Sequence, residues 1–73
     1  MPNIHGQTTE RDFRAPEGKS RIMKEDMEDG ALEIVADFYH IPTARKITNF
    51  LQADDQEAVF TLWDDQGNEV FLL

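Results

Sequence analysis

Four acidic side chains are spaced so that they could act together. Asp26, Asp29, Glu33 and Asp37 follow one another at intervals of three, four and four residues. On a helix, which turns by about 100° per residue, such intervals place side chains on one face. We therefore predict a negatively charged stripe, whose chemistry is recognition of positive charge, as the main partner-binding surface.

The chain offers little for catalysis. Adjacent carboxylates occur at positions 25 and 26, 28 and 29, 54 and 55, and 64 and 65, but each pair is expected in solvent. A catalytic acid or base is usually a partly buried group in a cleft. Two histidines without a cysteine do not supply the ligands of a structural zinc site. We predict that the protein is not an enzyme and uses no catalytic residue, cofactor or metal.

Charge is distributed unevenly along the chain. Its 15 acidic and 7 basic residues give a formal net charge of -8. Residues 1–24 contain five basic and three acidic residues, whereas residues 25–73 contain two basic and twelve acidic ones. An acidic surface of this density attracts basic proteins and repels nucleic acid within roughly 8–10 Å at physiological salt. Solubility is the alternative role for the same acidity.

Two helices joined by a proline-containing turn would position these groups. Ser20 is a suitable cap for a first helix, Arg21–Tyr39, which would carry the acidic stripe on one face. Gly30 could divide this helix, and residues 20–24 could instead form a short strand. Pro42 ends the helix, because the residue before a proline is driven out of helical geometry.

The predicted second helix, Thr43–Gln52, is amphipathic. Ile47, Phe50 and Leu51 recur at the spacing of one buried helical face. The polar side chains that are candidates for DNA binding are Arg45, Lys46, Asn49 and Gln52. With the first helix and a following hairpin, this segment resembles the general helix-turn-helix pattern of winged-helix proteins, which implies DNA binding. The acidic composition disfavours nucleic acid as a partner.

A β-hairpin is predicted at the C-terminal end. Glu57–Trp63 and Glu69–Leu73 are rich in β-branched and aromatic residues, and residues 64–68 supply a turn with a glycine. The second strand is apolar on both faces, so we expect its unprotected edge to pair two copies into a homodimer. The residues expected at this interface are Trp63, Val70, Phe71 and Leu73. Packing of the N-terminal arm over that face is the alternative.

The composition divides the chain into two parts. Residues 1–19 hold two of the three prolines, two of the four glycines and no apolar period, which predicts a disordered, flexible arm. Residues 20–73 are then a single small α+β domain with two helices and a C-terminal hairpin. No apolar run approaches the roughly 18 residues that cross a bilayer, and no signal-peptide order is present. We expect a cytoplasmic protein without a membrane partner.

Together these observations favour a small acidic binding protein. We expect it to modulate or inhibit a basic protein partner, which could itself bind nucleic acid, in the manner of small inhibitors from phages or mobile elements. The alternative is a small winged-helix-like DNA-binding transcriptional regulator. A second alternative is a structural subunit of a larger assembly that uses both faces of the hairpin.

Overall fold

The computed structural model describes residues 13–71 of the chain. They form β1 Ser20–Asp26, β2 Leu32–Phe38, α1 Ile41–Asp54, β3 Ala58–Trp63 and β4 Glu69–Val70. The strands make one antiparallel sheet in the order β2-β1-β3-β4. Because β2 and β3 flank β1 on its two sides, the connection between them, which contains α1, crosses β1. Residues 1–12 of the predicted arm lie outside the described residues.

The predicted first helix is wrong, because its sequence forms the β1–β2 hairpin. Gly30 closes the connecting turn with a φ of 72°, which glycine adopts without the penalty of a Cβ atom. The Asp26 carboxylate accepts backbone N–H bonds from Glu28 at 2.8 Å and from Asp29 at 3.3 Å. Turn chemistry at these positions therefore outweighs the helical spacing of the acidic residues. The α+β architecture is one helix on a four-stranded sheet, not two helices and a hairpin.

The main core lies between α1 and one face of the sheet. Ile22 from β1 and both Phe60 and Leu62 from β3 are buried against Ala44 of the helix. The side chains that complete this core are Phe38, Ile47, Leu51, Ala58 and Val70. Successive side chains of a strand point to opposite faces, so the neighbour of Ile22, Met23, is buried on the side away from the helix.

Helix α1 is held to the sheet by residues at helical spacing. Ala44, Ile47, Thr48 and Leu51 recur at i, i+3, i+4 and i+7, and the first and third of these are fully buried. The Thr48 hydroxyl donates to the Ala44 carbonyl at 2.7 Å, which satisfies a polar group that would be costly to bury alone. The expected burial of Phe50 is wrong: its side chain is 69% exposed. Phe50 precedes Leu51 by one residue and thus lies about 100° around the helix from it.

The C-terminal hairpin has a short second strand. β3 pairs with β4 through Leu62 opposite Val70 and Trp63 opposite Glu69. Its second strand therefore covers Glu69–Val70 of the predicted segment, and residues 72–73 lie outside the described residues. Within residues 13–71, no helix has the length and apolar character needed to cross a lipid bilayer.

Residues 13–19, the described part of the predicted arm, contact the C-terminal hairpin. The Ala15 N–H donates to the Asp64 carbonyl at 3.1 Å. The Phe13 and Trp63 rings meet edge to face with their centroids 4.6 Å apart. These contacts place the start of the described chain beside the β3–β4 turn.

Candidate functional site

Two loops bring acidic residues together at one end of the sheet. The Met27 N–H donates to the Glu57 carbonyl at 3.1 Å, which joins the β1–β2 turn to the α1–β3 connection. The Lys24 ammonium also lies 3.8 Å from the Asp55 carboxylate. We call this region the acidic end, and its acidic residues are Glu25, Asp26, Glu28, Asp29, Asp54, Asp55 and Glu57.

Some carboxylates of the acidic end shape its loops. The Asp29 carboxylate accepts the Ala31 N–H at 2.9 Å, and the Asp55 carboxylate accepts the Glu57 N–H at 2.9 Å. An aspartate that bonds the backbone two residues further on stabilises a turn locally. These two aspartates, like Asp26, therefore fix the positions of the neighbouring glutamates.

The other carboxylates of the acidic end are available to a partner. Glu25, Glu28, Asp54 and Glu57 are exposed, and within residues 13–71 their carboxylates form no hydrogen bond or ion pair. Lys24 offsets part of the charge, but its pair with Asp55 is long and partly exposed, and such pairs contribute little. The acidic end thus presents uncompensated negative charge to the solvent.

The predicted acidic stripe does not form as one face. Asp26 and Asp29 lie in the β1–β2 turn, whereas Glu33 and Asp37 lie on β2. Glu33 and Asp37 are separated by a β-bulge at Val35. Ile22 pairs with Ala36 and Met23 pairs with Ile34, so Val35 has no partner on β1. Glu33 consequently pairs with Lys24 on the helix side, and Asp37 pairs with Arg21 on the opposite side.

Asp37 is engaged within the fold. Its carboxylate accepts the Arg21 Nε–H at 2.7 Å and an Nη2–H at 3.0 Å, a two-pronged geometry that suits guanidinium and carboxylate. Both side chains are largely shielded from solvent, at 14% and 21% exposure. Asp37 therefore stabilises the β1–β2 pairing and is a poor candidate for partner binding.

The residues named for DNA binding lie on α1, but the helix-turn-helix arrangement is wrong. Arg45, Lys46 and Asn49 are exposed on the helix. The segment predicted as the preceding helix is β2, so the described residues contain no helix pair of this kind.

Gln52 has a structural role instead. Its amide nitrogen donates to the Asp55 carbonyl at 3.2 Å and to the Ala58 carbonyl at 2.8 Å. Its amide oxygen accepts the Phe60 N–H at 2.9 Å. These bonds attach the end of α1 to the start of β3 and thereby set the position of the α1–β3 connection at the acidic end.

The residues predicted for the dimer edge have separate environments. Trp63 contacts Phe13, and its indole N–H donates to the Thr61 hydroxyl at 2.8 Å. Val70 packs against the core, and Phe71 is 71% exposed. Leu73 lies outside the described residues. Since β4 has two residues and β2 has seven, the longer edge strand of the described sheet is β2.

The sheet face opposite α1, which we call the open face, was missed by the sequence prediction. Its side chains by strand register are Arg21, Met23 and Glu25 from β1, Leu32, Ile34 and Asp37 from β2, and Val59, Thr61 and Trp63 from β3. Ile34 and Val59 are each more than a third exposed. The Asp26–Gly30 turn was the signal that could have revealed β2 and hence this face.

The β3–β4 turn at the other end of the sheet contains the carboxylate with the clearest electrostatic perturbation. The Asn68 backbone N–H, which donates to the Asp64 carboxylate at 2.8 Å, lowers the pKa of Asp64 below its ordinary value of 3.8. The Gln66 N–H donates to the same oxygen at 2.8 Å and acts in the same direction. This carboxylate is a turn-forming group.

Neither the ligand chemistry of residues 13–71 nor similarity to a known protein identifies a further site. Among the residues that the structure describes, no group of three or more histidine, cysteine, aspartate or glutamate side chains is arranged to hold a metal ion. Comparisons with protein-family models, with curated proteins and with solved structures find no match to this chain.

Proposed function

We propose that this chain is a small acidic, non-enzymatic binding protein that modulates or inhibits a basic protein partner in the cytoplasm. The observation that carries the proposal is the acidic end, where two joined loops and the strand and helix ends beside them carry seven acidic residues, of which only Asp55 pairs with a lysine within residues 13–71. Four of these carboxylates are exposed and form no bond with residues 13–71. The surface proposed for the partner is therefore this end and not a helical stripe.

Electrostatics explains how such a surface would select its partner. Complementary charge accelerates encounter and suppresses binding of partners with the same sign of charge, while exposed pairs add little affinity each. A protein that binds nucleic acid presents the required cluster of lysines and arginines. Occupation of that cluster by the acidic end would compete with phosphate groups, which is a direct route to inhibition.

The proposal is tested by comparing two pairs of charge reversals in the full chain. Glu28→Lys with Glu57→Lys alters two exposed carboxylates of the acidic end, and Glu17→Lys with Glu69→Lys alters two exposed carboxylates elsewhere. Both pairs change the net charge equally, so the second pair controls for net charge. Each immobilised variant is exposed to a cell extract. The retained proteins are then eluted with increasing salt and identified by mass spectrometry.

We expect the wild-type chain and the control pair to retain the same basic proteins. The reversal at the acidic end should lose them, and about 1 M salt, where the screening length is about 3 Å, should release them from the wild type. Equal retention by both variant pairs, or retention that resists salt, would contradict a role for the acidic end. Circular dichroism of each variant establishes that the fold is retained.

A further inference from the structure

Strand β2 presents backbone groups at an open edge of the sheet. The Asp26 N–H donates to the Ala31 carbonyl at 2.9 Å, so these two residues form a hydrogen-bonded pair of the β1–β2 ladder. Hydrogen-bonded and non-hydrogen-bonded pairs alternate along antiparallel strands. By register, Glu33 is the next residue of β2 whose backbone N–H and C=O groups face β1. The N–H and C=O groups of Leu32 and Ile34 face outward, away from β1. Within the described residues, no strand pairs with this outer side.

Part of this edge is free of the devices that most strongly block pairing. β2 contains no proline and no lysine, which are common devices that block an exposed edge strand. Its one interruption is the bulge at Val35, which confines the regular part of the edge to the residues before it. An added strand would therefore bond to the backbone around Leu32 and Ile34.

The side chains beside this edge define what an added strand would carry. Glu33 is exposed on the helix side, where its neighbour Lys24 is drawn toward Asp55. Leu32 and Ile34 lie on the open face, with Ile34 36% exposed. Side chains alternate along a strand, so an added segment with one basic residue between two apolar ones would place its basic side chain beside Glu33 and its apolar side chains beside Leu32 and Ile34.

We propose that β2 accepts an extended segment of the basic partner as an additional strand, with the pattern apolar, basic, apolar. This inference rests on the proposed function and names the form in which the partner binds. Main-chain bonds to Leu32 and Ile34 provide the attachment, and the basic side chain beside Glu33 provides the selectivity. The nearby acidic end attracts the rest of a basic segment.

Charge favours such a segment over a second copy of this chain. Antiparallel self-pairing that uses the outward-facing backbones of both Leu32 and Ile34 places Glu33 directly opposite Glu33 of the second copy. Like charges opposite each other across strands are destabilising. Each copy also has a formal net charge of -8, so their approach is repelled overall.

Amide hydrogen exchange of the full chain with a defined probe tests this inference. The probe is a short peptide that alternates valine and lysine, and the control peptide alternates valine and glutamate. A second control carries N-methyl groups on one edge of the valine-lysine peptide, which removes the donors needed for pairing. Exchange is followed residue by residue by NMR.

We expect the valine-lysine peptide to slow exchange at Leu32 and Ile34 by about tenfold or more at saturation. The valine-glutamate and N-methylated peptides should leave these two amides unchanged. Binding of the valine-lysine peptide without protection of the two amides would overturn strand addition while leaving a charge-based acidic end intact. Equal retention of basic proteins by both variant pairs in the extract experiment would instead overturn the proposed function.

Hydrogen exchange of the protein without peptide tests whether the β2 edge is already occupied. Protection of the Leu32 and Ile34 amides that grows with protein concentration, with a dimer in sizing chromatography, would identify a second copy as the occupant and overturn the proposal. Protection already present in the monomer would show that the chain covers its own edge, and would also overturn it. Glu33→Lys should lower the affinity for the valine-lysine peptide at least several-fold, whereas the control Glu69→Lys, also at an exposed position, should leave this affinity unchanged.

Discussion

The two ends of the sheet use the same kind of side chain in different ways. At the end that contains the β3–β4 turn, Asp37 binds Arg21, Asp64 accepts two backbone N–H groups, and Asp65 accepts the Gly18 N–H at 2.8 Å. At the acidic end, four exposed carboxylates form no bond with residues 13–71. The three aspartates at one end therefore hold the fold together, whereas at the other end four carboxylates remain available for recognition beside three that shape the loops.

The acidic composition of the chain does not by itself show which carboxylates form a binding surface. The net charge of -8 is a property of the whole chain and does not distinguish the two ends. The hydrogen bonds make the distinction: some carboxylates accept backbone N–H groups, and others face the solvent without a partner in the described residues. Substitutions at the two ends should accordingly differ in their effect on the free energy of unfolding.

Gln52→Ala should be the most destabilising of these changes, because one partly buried amide attaches the end of α1 to the start of β3 through three hydrogen bonds. It removes bonds to the Asp55 and Ala58 carbonyls and to the Phe60 N–H. Lost bonds together with unsatisfied partners should cost about 2–3 kcal/mol in the free energy of unfolding. Urea titration followed by circular dichroism measures this. A loss below about 0.5 kcal/mol would mean that the connection is held by other contacts.

Asp37→Ala should destabilise the protein by about 1–2 kcal/mol, since it leaves the largely shielded Arg21 guanidinium without its two-pronged partner. A double-mutant cycle with Arg21→Ala isolates the pair from the other contacts of the arginine. A coupling energy near zero would show that Asp37 resembles the free carboxylates of the acidic end.

The pH dependence of stability should depend on Asp64. Backbone donation from Asn68 lowers the pKa of Asp64 in the folded state, so its contribution is present above the ordinary value of 3.8 and is lost as the pH falls toward the lower folded value. The wild type should exceed Asp64→Asn in stability near neutral pH, and this difference should shrink in acid. Urea titrations at about pH 6 and about pH 3 measure the trend. A difference that is constant or grows in acid would exclude it.

Glu28→Gln with Glu57→Gln should leave stability nearly unchanged. Both side chains are exposed and unbonded within the described residues, so a change within about 0.5 kcal/mol is expected. A small gain at low salt would reflect reduced repulsion among the remaining acids. The same pair should weaken binding of the valine-lysine peptide. A loss of stability similar to that of Asp37→Ala would assign these residues a structural role.

The parts of the fold that could be predicted from sequence are those where one local signal dominates. The apolar spacing of Ile47 and Leu51 indicated α1, and the alternation before Trp63 indicated β3. Pro42 was expected to end a helix, but it lies in the first turn of α1, which begins at Ile41. The β1–β2 hairpin was misassigned because its acidic residues happen to recur at helical intervals. Solvent-facing charges tolerate either conformation, whereas the turn chemistry ending at Gly30 does not.

The candidate site depends on contacts that no local pattern encodes. Glu57 is thirty positions from Met27, and only sheet pairing brings them to hydrogen-bonding distance. The bulge at Val35 separates Glu33 from Asp37 and could not be deduced from a single sequence. Acidity as a binding feature was predicted, but its location required the strand order.

Chemical-shift mapping with a short oligolysine peptide tests the central comparison most directly. We expect the largest shifts of backbone amides to cluster at residues 25–29 and 54–57, and to vanish at about 1 M salt, where charges are strongly screened. Residues 64–69 should change little, because the aspartates there are engaged by the backbone. Shifts of equal size at both ends would contradict the claim that the fold reserves one group of carboxylates for recognition.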